Sequence, residues 1–212
     1  MKERNLIMRK SFELQLGDTR KLAIYLDNQD LMMLLFSPKE TVQNFTQQLL
    51  TKYYFDYNKQ RYNASNYEKF WFISLAGFDL PKEVAVIKFL KEINTQPIYQ
   101  DCLQVLANEG NTPEDYLLLE QLPKLLFVKL RILYTLKKRR KFVWIDNVFG
   151  NLVNAEKLAL KQFILELQNK YATIFIICET AKQNGKFADN LVIYHHKLFY
   201  QIREETENEE RI

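Results

Sequence analysis

The chain has 212 residues, 47% hydrophobic and 14% aromatic, with a formal net charge of +4, which suits one generous folded core and excludes a disordered tail as the whole protein. Its 5 glycines stand singly, at Gly17, Gly77, Gly110, Gly150 and Gly185, where ~7% is usual. Neither the Gly-x-Gly-x-x-Gly dinucleotide turn nor the glycine-rich loop that cradles phosphates can therefore be assembled.

Hydrophobic periodicity predicts strands towards both ends and helices in the middle. Ser11 to Leu16 alternates like a half-buried strand, Gly17-Asp18 supplies a turn, and Lys21 to Leu26 is a buried-strand run, so the pair reads as a hairpin or edge pair. After Asp27-Asn28-Gln29-Asp30 the apolar stretch Leu31 to Phe36 reads as helical, stopped by Ser37-Pro38. A second helix is expected from Lys39 to about Tyr54, then a polar aromatic loop from Phe55 to Tyr67. Lys69 to Leu75 is a strand candidate. Leu80 to Leu136 is mostly helical, with breaks near Thr95-Gln96-Pro97 and from Glu109 to Pro113, where Thr112-Pro113-Glu114-Asp115 has the residues of a helix start. Lys141 to Ile145 and Ala172 to Cys178 are apolar strands flanking a helix from Asn154 to Lys170, a parallel crossover unit. Leu191 to Ile202 closes the chain as a hairpin. The expected class is α/β with a helical insertion.

Chemistry-bearing residues are scarce. Cys102 and Cys178 are far apart in or beside apolar runs, which excludes a disulfide framework or four-cysteine zinc site and fits a reduced, cytoplasmic protein. His195 and His196 are adjacent, so both cannot share one helix or strand face, and a histidine dyad is not expected. No run reaches the ~18 apolar residues of a membrane span, and no signal-peptide core follows the charged N-terminus, so no membrane partner is expected from the chain's own segments. Trp71 and Trp144 lie inside apolar strands and read as core residues.

The charge is uneven. Residues 201 to 212 hold five glutamates and two arginines, leaving +7 on the rest, and the tail 203–212 reads as acidic and disordered. From Lys124 to Lys141 there are eight basic residues and no acid. Such a block suits either a polyanion-facing surface, through release of phosphate counterions, or a solvated helix end favoured by the helix dipole. At 100° per residue Lys124, Arg131 and Lys138 fall on one narrow stripe of an otherwise apolar helix, which is expected to be exposed. Candidates for a duplex-DNA wall are Lys129, Arg131, Lys137, Lys138, Arg139 and Arg140, with Lys124 and Lys141 as second choices. Lys59 and Arg61, among the tyrosines of the aromatic loop, suit DNA contact, and that loop equally suits a subunit interface. Glu109, Asn111, Glu114 and Asp115 offer oxygen donors fit for calcium, or for ordinary helix capping.

The second half of the chain resembles an ATP-binding-cassette ATPase with its chemistry removed. In that family a Leu-Ser-Gly-Gly-Gln signature opens a buried helix, and an apolar strand ending in Asp-Glu follows; Leu122 to Asn147 has this interval. Residues 172–180 and 187–201 resemble its last core strand and terminal hairpin. Residues 12–35 are read as the strand, phosphate loop and first helix, which puts Asp27, Asn28 and Asp30 where the loop should be. The signature reads LPKLL, the catalytic glutamate position is Asn147, and the switch histidine position is Glu179, while the magnesium-side Asp146 is kept, fit at most to hold a metal with Asn147 as a relic. The resemblance thus implies a degenerate phosphate-loop sheet with an inserted helical lobe and no ATP hydrolysis. Residues 1–80 and 138–202 would form the ATPase-like head, and 81–137 the helical lobe and connecting helix.

More narrowly, the chain is similar to the DNA-binding accessory family of type II-A CRISPR spacer acquisition. The similarity rests on VQNF (42–45), Phe55-Asp56, LAGFDL (75–80), KKRRKFVWIDN (137–147) and FIICE (175–179). That resemblance implies a homotetrameric ring around linear double-stranded DNA, bound without regard to sequence, calcium-assisted assembly, and cooperation with the CRISPR integrase proteins and RNA-guided nuclease in antiviral defence. The alternative is a catalytically dead ATPase subunit, a structural or regulatory partner of an active transporter ATPase. In such a pair both composite sites would lack parts, because this chain has neither the phosphate loop nor the signature.

Overall fold

Six consecutive buried apolar residues, Leu31 to Phe36, set the centre of the fold. A strand buried on both faces of a parallel sheet has no polar positions to alternate with, so it reads as a continuous apolar run. The computed structural model describes residues 10–16, 20–26, 30–36, 54–57, 60–62, 70–74, 85–108, 118–138, 142–195 and 198–202.

Ten strands are described, in two sheets. β1 (Lys10–Leu16), β2 (Arg20–Leu26), β4 (Tyr54–Tyr57) and β5 (Gln60–Tyr62) form an antiparallel sheet in the order β2-β1-β4-β5. The larger sheet holds β3 (Met32–Phe36), β6 (Phe70–Ser74), β7 (Phe142–Asp146), β8 (Ile174–Glu179), β9 (Asn190–His195) and β10 (Leu198–Ile202). Its order is β10-β9-β3-β8-β7-β6, parallel throughout except for β10, which pairs antiparallel with β9 as the expected terminal hairpin.

Four α-helices are described. α1 (Val86–Ile93) buries Val86, Phe89, Leu90 and Ile93, the one-face spacing of an amphipathic helix. α2 (Ile98–Asn108) follows a break at residues 94–97, α3 (Lys124–Thr135) continues into a 3₁₀ turn, Leu136–Lys138, and α4 (Asn154–Tyr171) joins β7 to β8. One apolar cluster runs from Phe89 and Ile93 through Leu126, Leu130 and Leu133 to Val143, Ile145, Leu160 and Phe175. The helical segment and the parallel sheet therefore share a core. Trp144 is also buried, 1% exposed, as expected of a strand tryptophan.

Two expectations are corrected. The apolar run from Leu31 is not a helix but leads into β3 (Met32–Phe36), placed between β8 and β9; an apolar run this short carries no period that separates strand from buried helix. Within the aromatic segment 55–67, residues 55–57 belong to β4 and residues 60–62 to β5; the two strands pair as Phe55 with Tyr62 and Asp56 with Arg61. Tyrosine suits a pleated surface better than a loop. The helix expected from Lys39 lies outside the described residues, apart from Tyr54, which begins β4. The helix start at Thr112-Pro113 and the tail from residue 203 also lie outside them.

Candidate functional site

In open α/β sheets ligands bind outside the carboxyl ends of the parallel strands. Here that edge is formed by Ser74 on β6, Asp146 on β7 and Cys178 and Glu179 on β8, with Ser74 and Cys178 in register on either side of Asp146 and Leu35 of β3 opposite Glu179. A phosphate loop joins the carboxyl end of such a strand to the next helix. In this topology the central strand is β3, so the corresponding segment begins at Ser37 and reads Ser-Pro-Lys-Glu-Thr, without glycine.

This corrects the assignment of Asp27, Asn28 and Asp30 to a phosphate-loop position. Asp30 precedes β3 at the opposite edge of the sheet. Its carbonyl accepts a hydrogen bond from Gln168 Nε2 at 3.1 Å and its Oδ2 accepts one from Asn190 Nδ2 at 2.9 Å, so it fastens the start of β3 to α4 and β9. Asp27 and Asn28 lie outside the described residues.

At the carboxyl edge, Asp146 is half-buried and Asn147 is exposed. Asn147 has a left-handed backbone, φ 51°, a conformation asparagine tolerates better than most residues. Its N–H donates to the Cys178 carbonyl at 2.7 Å, and the Gly150 N–H donates to the Asn147 carbonyl at 3.3 Å. A β-carbon on Gly150 would lie 2.5 Å from Asn147 Oδ1, so any larger residue there would push the Asn147 side chain aside. An asparagine amide can orient a polar ligand but has no basic site for a proton from water.

Glu179 is fully buried and turned into the protein. Its Oε1 accepts the Phe149 N–H at 2.8 Å and its Oε2 accepts Asn184 Nδ2 at 3.0 Å, while Asn184 Oδ1 accepts from Lys157 Nζ at 2.8 Å. Burial raises its carboxyl above the ordinary value of 4.5; the Phe149 and Asn184 hydrogen bonds oppose the rise, and nearby Asp146 adds to it. Asn184 belongs to the 3₁₀ segment Lys182–Phe187. Glu179 therefore braces the turn after β7 against the segment after β8.

The basic residues are dispersed. Arg131 is buried, 7% exposed, and lies 5.1 Å from the centroid of the Phe127 ring; burial pulls its guanidinium down to about 10. The expected exposed stripe through Lys124, Arg131 and Lys138 is corrected on this point, since packing against α3 covers Arg131 and leaves Lys124 exposed. Lys129 is half-buried, 5.8 Å from the Phe163 ring centroid. Lys137 pairs with Glu92 at 2.8 Å, an oxygen that also accepts the Tyr134 hydroxyl at 2.9 Å; these two bonds pull the Glu92 carboxyl down. Lys138 ends the 3₁₀ turn and Arg61 lies on β5. Lys59, Arg139, Arg140 and Lys141 lie outside the described residues, as do the calcium candidates Glu109, Asn111, Glu114 and Asp115. Among the described residues no group of three or more His, Cys, Asp or Glu side chains could hold a metal ion.

Sequence reasoning missed two clusters. Asp101, buried on α2, accepts hydrogen bonds from Lys170 Nζ and the Tyr171 hydroxyl at the end of α4; burial and then the Asp101 bond push the Tyr171 phenol up. A carboxylate inside an apolar helical run is the available signal. The Asn184–Lys157 link has no such signal, because its partners are 27 residues apart.

No family model and no curated protein matches the chain. Solved structures do. The ADP conformation of an ATP-binding cassette of an ABC transporter superposes with a TM-score of 0.65 at 12% identity, covering 93% of this chain and 91% of that one. CbiO1 from Clostridium perfringens, part of the ABC transporter complex CbiONQ, gives 0.67 at 9% identity, with 91% and 87% covered. An inward-facing putative metal-chelate type ABC transporter gives 0.59 at 14% identity, with 92% and 83% covered. The fold is thus an α/β fold similar to that of ABC ATPase cassettes. These neighbours correct the resemblance to the CRISPR spacer-acquisition family, which the comparisons do not support; the tetrameric ring, calcium-assisted assembly and CRISPR partners it implied fall with it. Among the described residues no helix is long and apolar enough to cross a membrane.

Proposed function

We propose that this chain is a cassette-ATPase-like subunit that does not hydrolyse ATP and serves as a structural or regulatory partner of an active transporter ATPase. One observation carries the reading: on a fold like that of transporter cassettes, an asparagine occupies the pinned turn at the carboxyl end of β7 where water would need a base. The glycine-free segment after β3 supports it, since it offers no backbone nest for the β- and γ-phosphates. Glu179, the other carboxylate at this edge, is committed to Phe149 and Asn184. The similarity to CbiO1, part of a transporter complex, supports the choice of partner. With neither loop nor signature, the chain would not complete a hydrolytic site with its partner, and its contribution would be mechanical.

Two measurements test this. Purified protein with Mg·ATP is expected to release no phosphate above the buffer rate, and Asn147→Glu alone is expected not to start turnover because the phosphate loop is still missing. Hydrolysis that disappears in Asp146→Asn would overturn the reading. Affinity isolation from native membranes is expected to recover an intact cassette ATPase with this chain; recovery of the chain alone from detergent-solubilised membranes would count against the partner role.

A further inference from the structure

We propose that Glu179 is a positioning residue that latches the turn after β7, fixing Asn147 at the carboxyl edge of the sheet through a brace from β8 to the 3₁₀ segment beyond it. The proposal rests on reading that edge as a degenerate nucleotide site. Its geometry is independent of that reading.

Two adjacent residues at the end of β8 hold the turn. The Cys178 carbonyl accepts the Asn147 N–H at 2.7 Å, and the Glu179 carboxylate accepts the Phe149 N–H at 2.8 Å. The carboxylate's second oxygen is occupied by Asn184, whose own amide oxygen is fixed by Lys157 in the first turn of α4. Residues 147 to 157 are therefore gripped at three points by the segment from residue 178 to residue 184. Glu179 and Asn184 are 0% and 1% exposed, so water does not compete for these bonds, and a buried donor stripped of its acceptor is costly. The tight fit of Gly150 against the Asn147 side chain passes the constraint to the exposed amide. A carboxylate spent in this way holds the strand end in one arrangement whether or not a ligand arrives.

The test is amide hydrogen exchange on the full chain, without nucleotide, reading Phe149 against Ile164 in the buried part of α4. Glu179→Ala is expected to speed exchange at Phe149 at least about tenfold relative to Ile164, as a local opening does, and to shift the Asn147 side-chain amide resonances. Glu179→Gln keeps an oxygen for the Phe149 N–H but turns an NH2 towards the Asn184 Nδ2 donor, so it is expected to bring Phe149 only part of the way back towards the wild-type rate. Equal acceleration at both amides would overturn the latch. Should Glu179→Ala not fold, Asn184→Ala removes one arm and is expected to speed Phe149 several-fold relative to Ile164; an unchanged ratio overturns the proposal. ATP turnover by the wild-type protein would sink the non-hydrolysing reading and leave the exchange result standing.

Discussion

A carboxylate at zero exposure must be held by donors or become neutral, and Glu179 is under both pressures. Burial raises its pKa above 4.5, so the folded chain binds the proton more tightly than the unfolded one. The stabilising contribution is full below 4.5 and is lost as pH rises through the folded value. Glu179→Gln does not titrate, so its stability relative to wild type is expected to increase with pH across that window, read from urea midpoints at closely spaced pH values. A constant difference would mean that the carboxylate ionises as easily in the fold as outside it. At this scale the sequence showed which residue types were present but not which way they faced. Chain order alone places Asn147 and Glu179 at strand ends, whereas a helical wheel puts Arg131 on an exposed stripe because it does not reveal what packs over it. Nothing local in the sequence marks Asp30 as the fastening of β3, because its partners, Gln168 and Asn190, are more than a hundred residues away.

The same limits apply to elements. Strands whose residues alternate or run apolar between turn residues, such as β1, β2, β7 and β8, were legible, and so was α4 with its buried Leu160, Ile164 and Leu167. β3 was not, because five residues cannot display a period and only its partners β8 and β9 make it a strand. The shortage of glycine has its clearest consequence at the end of α4. The helix terminates at Ala172 in the left-handed region, φ 50° and ψ 31°, a place usually given to glycine. A left-handed non-glycine residue costs roughly 1–2 kcal/mol, and glycine's extra freedom in the unfolded chain offsets about 0.5–1 kcal/mol of any relief. Because Ala172 is exposed, no packing is lost on substitution. Ala172→Gly is expected to stabilise the protein by about 0.5–1 kcal/mol by urea denaturation; a lower midpoint would show that alanine carries no strain there.

For the whole molecule, the sequence conveyed the class and the crossover unit, but placing the central strand required the order of the parallel sheet. That order moves the position to compare with a phosphate loop from residues 27–30 to the segment that follows Phe36 in sequence, and narrows glycine poverty from a general exclusion to the composition of that one segment. It also bears on how the chain unfolds. A helical insertion with a core of its own would melt separately from the sheet, but Phe89 and Ile93 of α1 and Leu130 and Leu133 of α3 belong to the same apolar cluster as Val143, Ile145 and Phe175 of the sheet. Asp101 adds a polar tie from α2 to the end of α4 through Lys170 and Tyr171. Removing the helices would expose the strands beneath them, so neither part has a stable state without the other. Far-UV circular dichroism follows chiefly the helices, and tryptophan fluorescence reports on the sheet through Trp71 on β6 and Trp144 on β7. The two signals are expected to give one superimposable urea transition. Fluorescence persisting beyond the loss of helix would establish the sheet as a separate unit and contradict the shared core.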